Sequence, residues 1–95
     1  MFYIYILYSP GTDKFYVGYT NDIERRLQEH NELSDNSFTS KYRPWILKSS
    51  FEVGNNRGVA MKIEKHIKRQ RKRTYIEEII KRSSITKLIE RYSVG

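Results

Sequence analysis

Four side chains of this chain have the types and the order needed to cut a phosphodiester: Tyr5, Tyr16, Arg26 and Glu64. A phenol can donate to phosphate or, once deprotonated, take a proton from water. A free phenol has a pKa near ~10, so base chemistry calls for help from a metal or cations. A guanidinium fork can clamp a nonbridging phosphate oxygen. One carboxylate suffices to hold Mg2+ or Mn2+, which complete their shells with waters and phosphate oxygens. His30 follows Arg26 by four residues and can orient a tyrosine, hold a water or contact phosphate. No close His–His or paired Asp–Asp spacing exists, which argues against zinc hydrolysis and a two-metal nuclease. The chain has no cysteine, which excludes disulfides, thiolate metal sites and cysteine nucleophiles.

Each candidate also has a plain structural reading. Glu64 can form a helix ion pair with Lys68 or Lys65. Arg26 can pair with Glu29 or Glu24, and Arg25 beside it is chemically identical. Arg26 lies one position from Leu27 and three from Ile23, which brings it nearer the core face. The chain has eight tyrosines, and aromatic residues are ordinary strand formers. His66 lies away from Ile63 and Ile67 on its helix and is expected in solvent.

The net charge of +7 over 95 residues favours an anionic partner, with nucleic acid first in line. Residues 62–73 hold seven cations against Glu64 alone. Among them Lys68, Arg69, Arg71 and Lys72 are expected to contact a phosphate backbone. A solvated polar face remains the alternative for Lys62 and Lys65. Residues 39–45 add hydroxyls, the cations Lys41 and Arg43, and aromatics that can grip a backbone or stack on an exposed base. Trp45 serves equally well as a core anchor.

These side chains need a scaffold, and the length allows one small domain over residues 1–95. Residues 2–8 and 15–20 are aromatic and β-branched runs separated by a turn with Pro10, Gly11 and Asp13, so an antiparallel hairpin is expected. Alternation puts Tyr3, Tyr5 and Leu7 on one face, and Tyr16, Gly18 and Thr20 on one face of the second strand. Gly18 inside a strand marks a bulge or a close backbone approach. Asn21 or Asp22 caps a first helix ending near Glu32, with Glu24 completing a capping box to Asn21. Residues 33–42 read as a loop. A third strand covers residues 45–53, and a helix covers residues 57–70 with Ala60, Ile63 and Ile67 as its stripe and Glu64 at the border. Thr74 caps a further helix, and residues 84–92 form a short last one. Residues 1–7 are apolar but short, with no basic region before them, and read as a strand rather than a signal peptide. No run approaches membrane-spanning length. A soluble, cytoplasmic monomer or weak dimer without membrane partners is expected.

With these residues in place, the chain resembles the GIY-YIG nuclease superfamily. The first signature stands as Tyr3-Ile4-Tyr5 and the second as Tyr16-Val17-Gly18. Residues 24–30 match the family's arginine-bearing helix with Arg26 on the arginine position. Residues 60–64, then Ile67-Lys68, match the helix that supplies the metal-binding glutamate. The resemblance spans residues 1–82 and is greatest to the small single-domain bacterial proteins of the UPF0213 or YhbQ-like group. It implies an α+β fold in which a three-stranded antiparallel sheet is flanked by helices. It also implies one-metal hydrolysis of DNA with Mg2+ or Mn2+. Tyr16 then becomes the candidate general base, directly or through a metal-bound water, Tyr5 a phosphate and water positioner, Arg26 the stabiliser of transition-state charge and Glu64 the metal ligand, with His30 supporting the site. The expected activity is cleavage of DNA with little sequence specificity, in branched or single-stranded forms, and RNA is a further candidate partner. A nucleic-acid-binding module without activity, or a basic domain docking on protein or RNA, is the alternative. Tyr3 replaces the first glycine of the signature, and Tyr19 stands where excision-repair nucleases tend to have a lysine. Those nucleases and the homing enzymes carry added DNA-binding domains, so their damage-specific or site-specific cutting is not transferred to this chain.

Overall fold

The computed structural model describes residues 1–33 and 41–93. Strand β1 runs Phe2–Ser9 and β2 runs Lys14–Thr20, joined by a tight turn in which the Thr12 and Asp13 amides donate to the Ser9 carbonyl. Strand β3, Ile46–Gly54, pairs with the other side of β1, giving a three-stranded antiparallel sheet of order β2-β1-β3. The expected hairpin, third strand and flanking helices are all present. The third strand begins and ends one residue later than the sequence indicates, and Trp45 is held before it by a side-chain clamp described below.

Alternation along β1 divides the chain into two apolar layers. Ile4 and Ile6 point to one face, where they meet Val17, Phe51 and the buried side of the helices. Tyr5 and Leu7 point to the other, where they meet Trp45 and are covered by Tyr16, Leu27 and Tyr42. Ile4, Ile6, Ala60 and Ile63 are fully buried, and burial of each large aliphatic side chain contributes about 1.5–3 kcal/mol relative to exposure. Trp45 is 2% exposed, which decides for a core anchor over a base-stacking surface.

Helix α1, Ile23–Gln28, is capped by Asp22, whose side chain accepts from the Arg25 amide. The capping box between Asn21 and Glu24 does not form; Asn21 instead accepts from the Arg25 guanidinium. The chain then widens into a π-helical turn, Glu29–Leu33, in place of the regular helix expected to Glu32. Such turns recur at functional sites because the extra residue re-aims side chains.

Helix α2, Arg57–Gln70, starts at the Asn56 cap and buries Val59, Ala60, Ile63 and Ile67. It ends at Arg71, whose φ of 52° is left-handed. Helix α3, Arg73–Arg82, begins one residue before Thr74, so that threonine is not its cap; Lys72 holds the position without a side-chain bond. Helix α4, Thr86–Ser93, packs back on α2. That packing overturns the expectation of a solvated His66, whose Nδ1 pairs with the Tyr92 hydroxyl at 2.8 Å. Among the described residues no helix is long and apolar enough to cross a membrane. Of the expected loop over residues 33–42, positions 34–40, including Thr39 and Ser40, lie outside the described residues.

Candidate functional site

Tyr5 and Gly18 are cross-strand partners in the β1–β2 ladder, and Leu7 faces Tyr16 one pleat along. The ladder between these strands is unbroken, so Gly18 is a site of close approach and not a bulge. A β-carbon added to it would strike the hydroxyl and ring of Tyr5. Glycine here lets the Tyr5 ring lie flat across the neighbouring backbone.

The Tyr5 hydroxyl is the hub of a buried polar chain. Nε of Arg26 donates to it at 3.4 Å, and it lies 2.9 Å from Nε2 of His30. Guanidinium can only donate, so the phenolic oxygen accepts from Arg26, and the direction of the Tyr5–His30 bond follows the imidazole tautomer. Burial, with the Arg26 charge second, pulls the His30 imidazole down to about 4. Burial also pushes the Tyr5 phenol up to about 12, against the Arg26 hydrogen bond, which lowers it. That shift favours the protonated phenol at Tyr5, which can donate or position.

The π-helical turn sets the far end of this chain. It brings His30 to 5% exposure with its ring edge-on to Tyr16, centroids 5.0 Å apart. The same turn aims Asn31 at Trp45: the Asn31 amide oxygen accepts from the Trp45 amide at 2.7 Å and its nitrogen donates to the Trp45 carbonyl at 3.0 Å. Nothing in the composition of residues 29–33 announces this clamp. Arg43, expected on phosphate, donates through Nε to the His30 carbonyl at 2.7 Å and is half-buried. Part of its donor capacity therefore supports the site from within.

On α2, Glu64 stands one position after the buried Ile63 and four before Lys68. The ion-pair reading of Glu64 is present in the fold. Its carboxylate is 3.5 Å from the Lys68 ammonium, and it lines the same cleft as the tyrosines. The Lys68 nitrogen also lies 5.0 Å from the centroid of the Tyr16 ring. Lys68 thus stands at both Glu64 and Tyr16.

Tyr5, Tyr16, Arg26 and Glu64 line one open cleft of about 410 Å³. Arg25, weighed against Arg26 in the sequence, and Arg57, which sequence reasoning passed over, line it too. Arg57 Nε donates to the Tyr19 hydroxyl at 3.2 Å. A cation from the first turn of α2 therefore stands beside the position that lacks a lysine in β2. The signal was available: an arginine at the start of a helix whose register puts Glu64 two turns on.

The remaining basic residues divide. Lys68, Arg71 and Lys72 line a neighbouring groove; Lys41 and Arg69 are exposed and line neither. Arg73 bridges Asp13 at 2.7 Å and also donates to its carbonyl, tying the hairpin tip to α3. This contact, with the Tyr8 hydroxyl second, holds the Asp13 carboxyl down to about 2.

Among the described residues no three His, Asp or Glu side chains come together as a metal cluster. Among the described residues Glu64 is the one carboxylate lining the cleft. A single carboxylate facing an open, cationic cleft fits Mg2+ or Mn2+ shared with substrate phosphate, and does not fit zinc.

Residues 1–77 match the family model described as the GIY-YIG catalytic domain. The UPF0213 protein of Streptococcus agalactiae serotype V is 40% identical over 80 residues, covering 80% of this chain and 88% of that one. The UPF0213 proteins of Bacillus velezensis and Haloquadratum walsbyi are 36% and 35% identical, covering 80% of this chain in each case and 78% and 86% of theirs. No solved structure gives a significant match.

Proposed function

The chain belongs to the UPF0213 group of the GIY-YIG superfamily, and on that footing we propose that it binds nucleic acid and hydrolyses a DNA phosphodiester in the cleft between β2, α1 and α2. The observation that carries the reading is the convergence of Tyr5, Tyr16, Arg26 and Glu64, drawn from four elements, on one cleft. The net charge of +7 supports a polyanionic substrate.

Arg26 and Arg25 take the nonbridging oxygens of the scissile phosphate, and Arg26 neutralises the charge that develops on them. Tyr5, held between Arg26 and His30, keeps its proton and fixes the position of the phosphate or the attacking water. Tyr16, the half-exposed phenol of the pair, first gives its own proton to solvent, and its phenolate then takes the proton from that water as the water oxygen bonds to phosphorus. The bond from phosphorus to the leaving oxygen then breaks, and that oxygen is protonated from solvent. Glu64 would hold Mg2+ or Mn2+, which supplies charge stabilisation for the leaving oxygen.

The second reading is a nucleic-acid-binding module without hydrolysis. The Glu64–Lys68 ion pair favours it, because the carboxylate already has a cation at 3.5 Å. Purified protein incubated with single-stranded, duplex and branched DNA, with Mg2+ or Mn2+ and with EDTA, separates the two. Metal-dependent cleavage supports the enzyme; tight binding with intact DNA supports the module.

A further inference from the structure

A second groove lies along β2 toward its N-terminal end, and Tyr16 lines both it and the first cleft. Its volume is about 380 Å³. The floor is apolar, with the half-buried Phe15 and Ile76 above the buried Val17 and Ile67. The rim is cationic, formed by Lys14, Lys68, Arg71 and Lys72. Among the described residues Asp13 is the one acid in the lining, and Arg73 already bridges it.

Arg71 adds a separate observation. It closes α2 in the left-handed region, at φ 52°. Glycine is the default there, because a β-carbon is disfavoured in that conformation. An arginine at such a place costs backbone strain. Among the described residues it has no carboxylate partner that would repay that strain, yet its side chain lines the groove.

We propose that this groove is a nucleotide subsite for single-stranded nucleic acid. The base lies on the Phe15 and Ile76 floor, and its phosphates lie against Lys68, Arg71 and Lys72. The strand then crosses Tyr16 into the first cleft. The idea rests on the first cleft being the phosphate-binding site, and it names the form of the substrate. A paired base must give up its stack and its pairing, which costs free energy, to reach an apolar floor, whereas an unpaired one gains by doing so. A cationic rim alone would take duplex and single strand alike; the apolar floor is what separates them.

The test is fluorescence anisotropy in EDTA with labelled twelve-residue oligothymidylate, the same backbone with abasic sites, and a blunt duplex of equal length. Wild-type protein should bind oligothymidylate more tightly than either of the others. Arg71→Gly should weaken oligothymidylate binding by about fivefold, the size of a lost phosphate contact, and duplex binding by less. Its melting temperature should stay level or rise, because glycine relieves the left-handed strain. Lys72→Gln should give a similar loss of oligothymidylate affinity without touching that position. Equal affinity for the abasic and thymidylate strands would overturn the subsite, as would unchanged binding by both variants. Binding in EDTA does not depend on hydrolysis. Wild-type cleavage alongside unchanged variant affinity would therefore sink the subsite alone. The expected binding pattern without any cleavage would sink hydrolysis alone.

Discussion

The Tyr5 hydroxyl lies 2.9 Å from Nε2 of His30, and this bond connects strand β1 to the π-helical turn after α1. Arg26 joins it from the other side at 3.4 Å. The three groups form one hydrogen-bonded chain. Tyr5→Phe should leave the buried His30 imidazole nitrogen without its hydrogen-bond partner. The expected loss of stability is about 1–3 kcal/mol, the cost of one unsatisfied buried group. Urea unfolding should show a lower midpoint with an unchanged slope.

Stability should also depend on pH through His30. Its folded pKa is lowered to about 4 from an ordinary value of 6.5. Between those values the unfolded chain binds more protons, so stability rises with pH. The contribution is fully present above about 6.5 and is lost as pH falls toward about 4, with a size on the order of 3 kcal/mol. His30→Gln should flatten this part of the profile in thermal melts from pH 4 to 7. A slope that survives the substitution would place the titrating group elsewhere.

Gly18→Ala tests the close approach between β2 and the Tyr5 ring. The new methyl group collides with the hydroxyl and ring carbons of a 2% exposed tyrosine packed against Tyr16 and His30. Overpacking of this kind costs about 1–3 kcal/mol. The same displacement should break the bonds to His30 and Arg26. Near-ultraviolet circular dichroism should report the shifted tyrosine even where the far-ultraviolet spectrum is unchanged.

Lys68→Ala with Arg71→Ala should weaken DNA binding and reduce the slope of log affinity against log salt by about one unit per lost phosphate contact. Both residues are exposed, so the fold should survive, as circular dichroism would verify. Filter binding across several salt concentrations gives the slope. An unchanged slope in the folded double variant would move the interface to the Arg25 and Arg57 side of the cleft.

Much of this arrangement was legible in the sequence because it is periodic. Two-residue alternation in β1 sends Tyr5 and Leu7 one way and Ile4 and Ile6 the other, and the stripe of Ala60, Ile63 and Ile67 fixes where Glu64 falls. What escaped has no period. The π-helical turn adds a residue to the helical repeat and so turns His30 and Asn31 inward, where 3.6-residue spacing gives no hint of it. Arg57 reaches Tyr19 across 38 positions, and His66 reaches Tyr92 across 26. Such contacts come from the packing of whole elements. Local propensity is silent about them, as it is about the Asp13 bridge that takes Arg73 out of the basic run.

The most direct measurement is metal-dependent cleavage by wild-type protein and by Glu64→Gln, on single-stranded and branched DNA with Mg2+ or Mn2+. The substitution keeps the shape of the side chain, and the ion pair it breaks is partly exposed, so the fold should be little affected. The account predicts cleavage by the wild type, its loss in Glu64→Gln, and DNA binding in EDTA that is retained or strengthened, since Lys68 is released from its carboxylate. Cleavage by Glu64→Gln at the wild-type rate would contradict it.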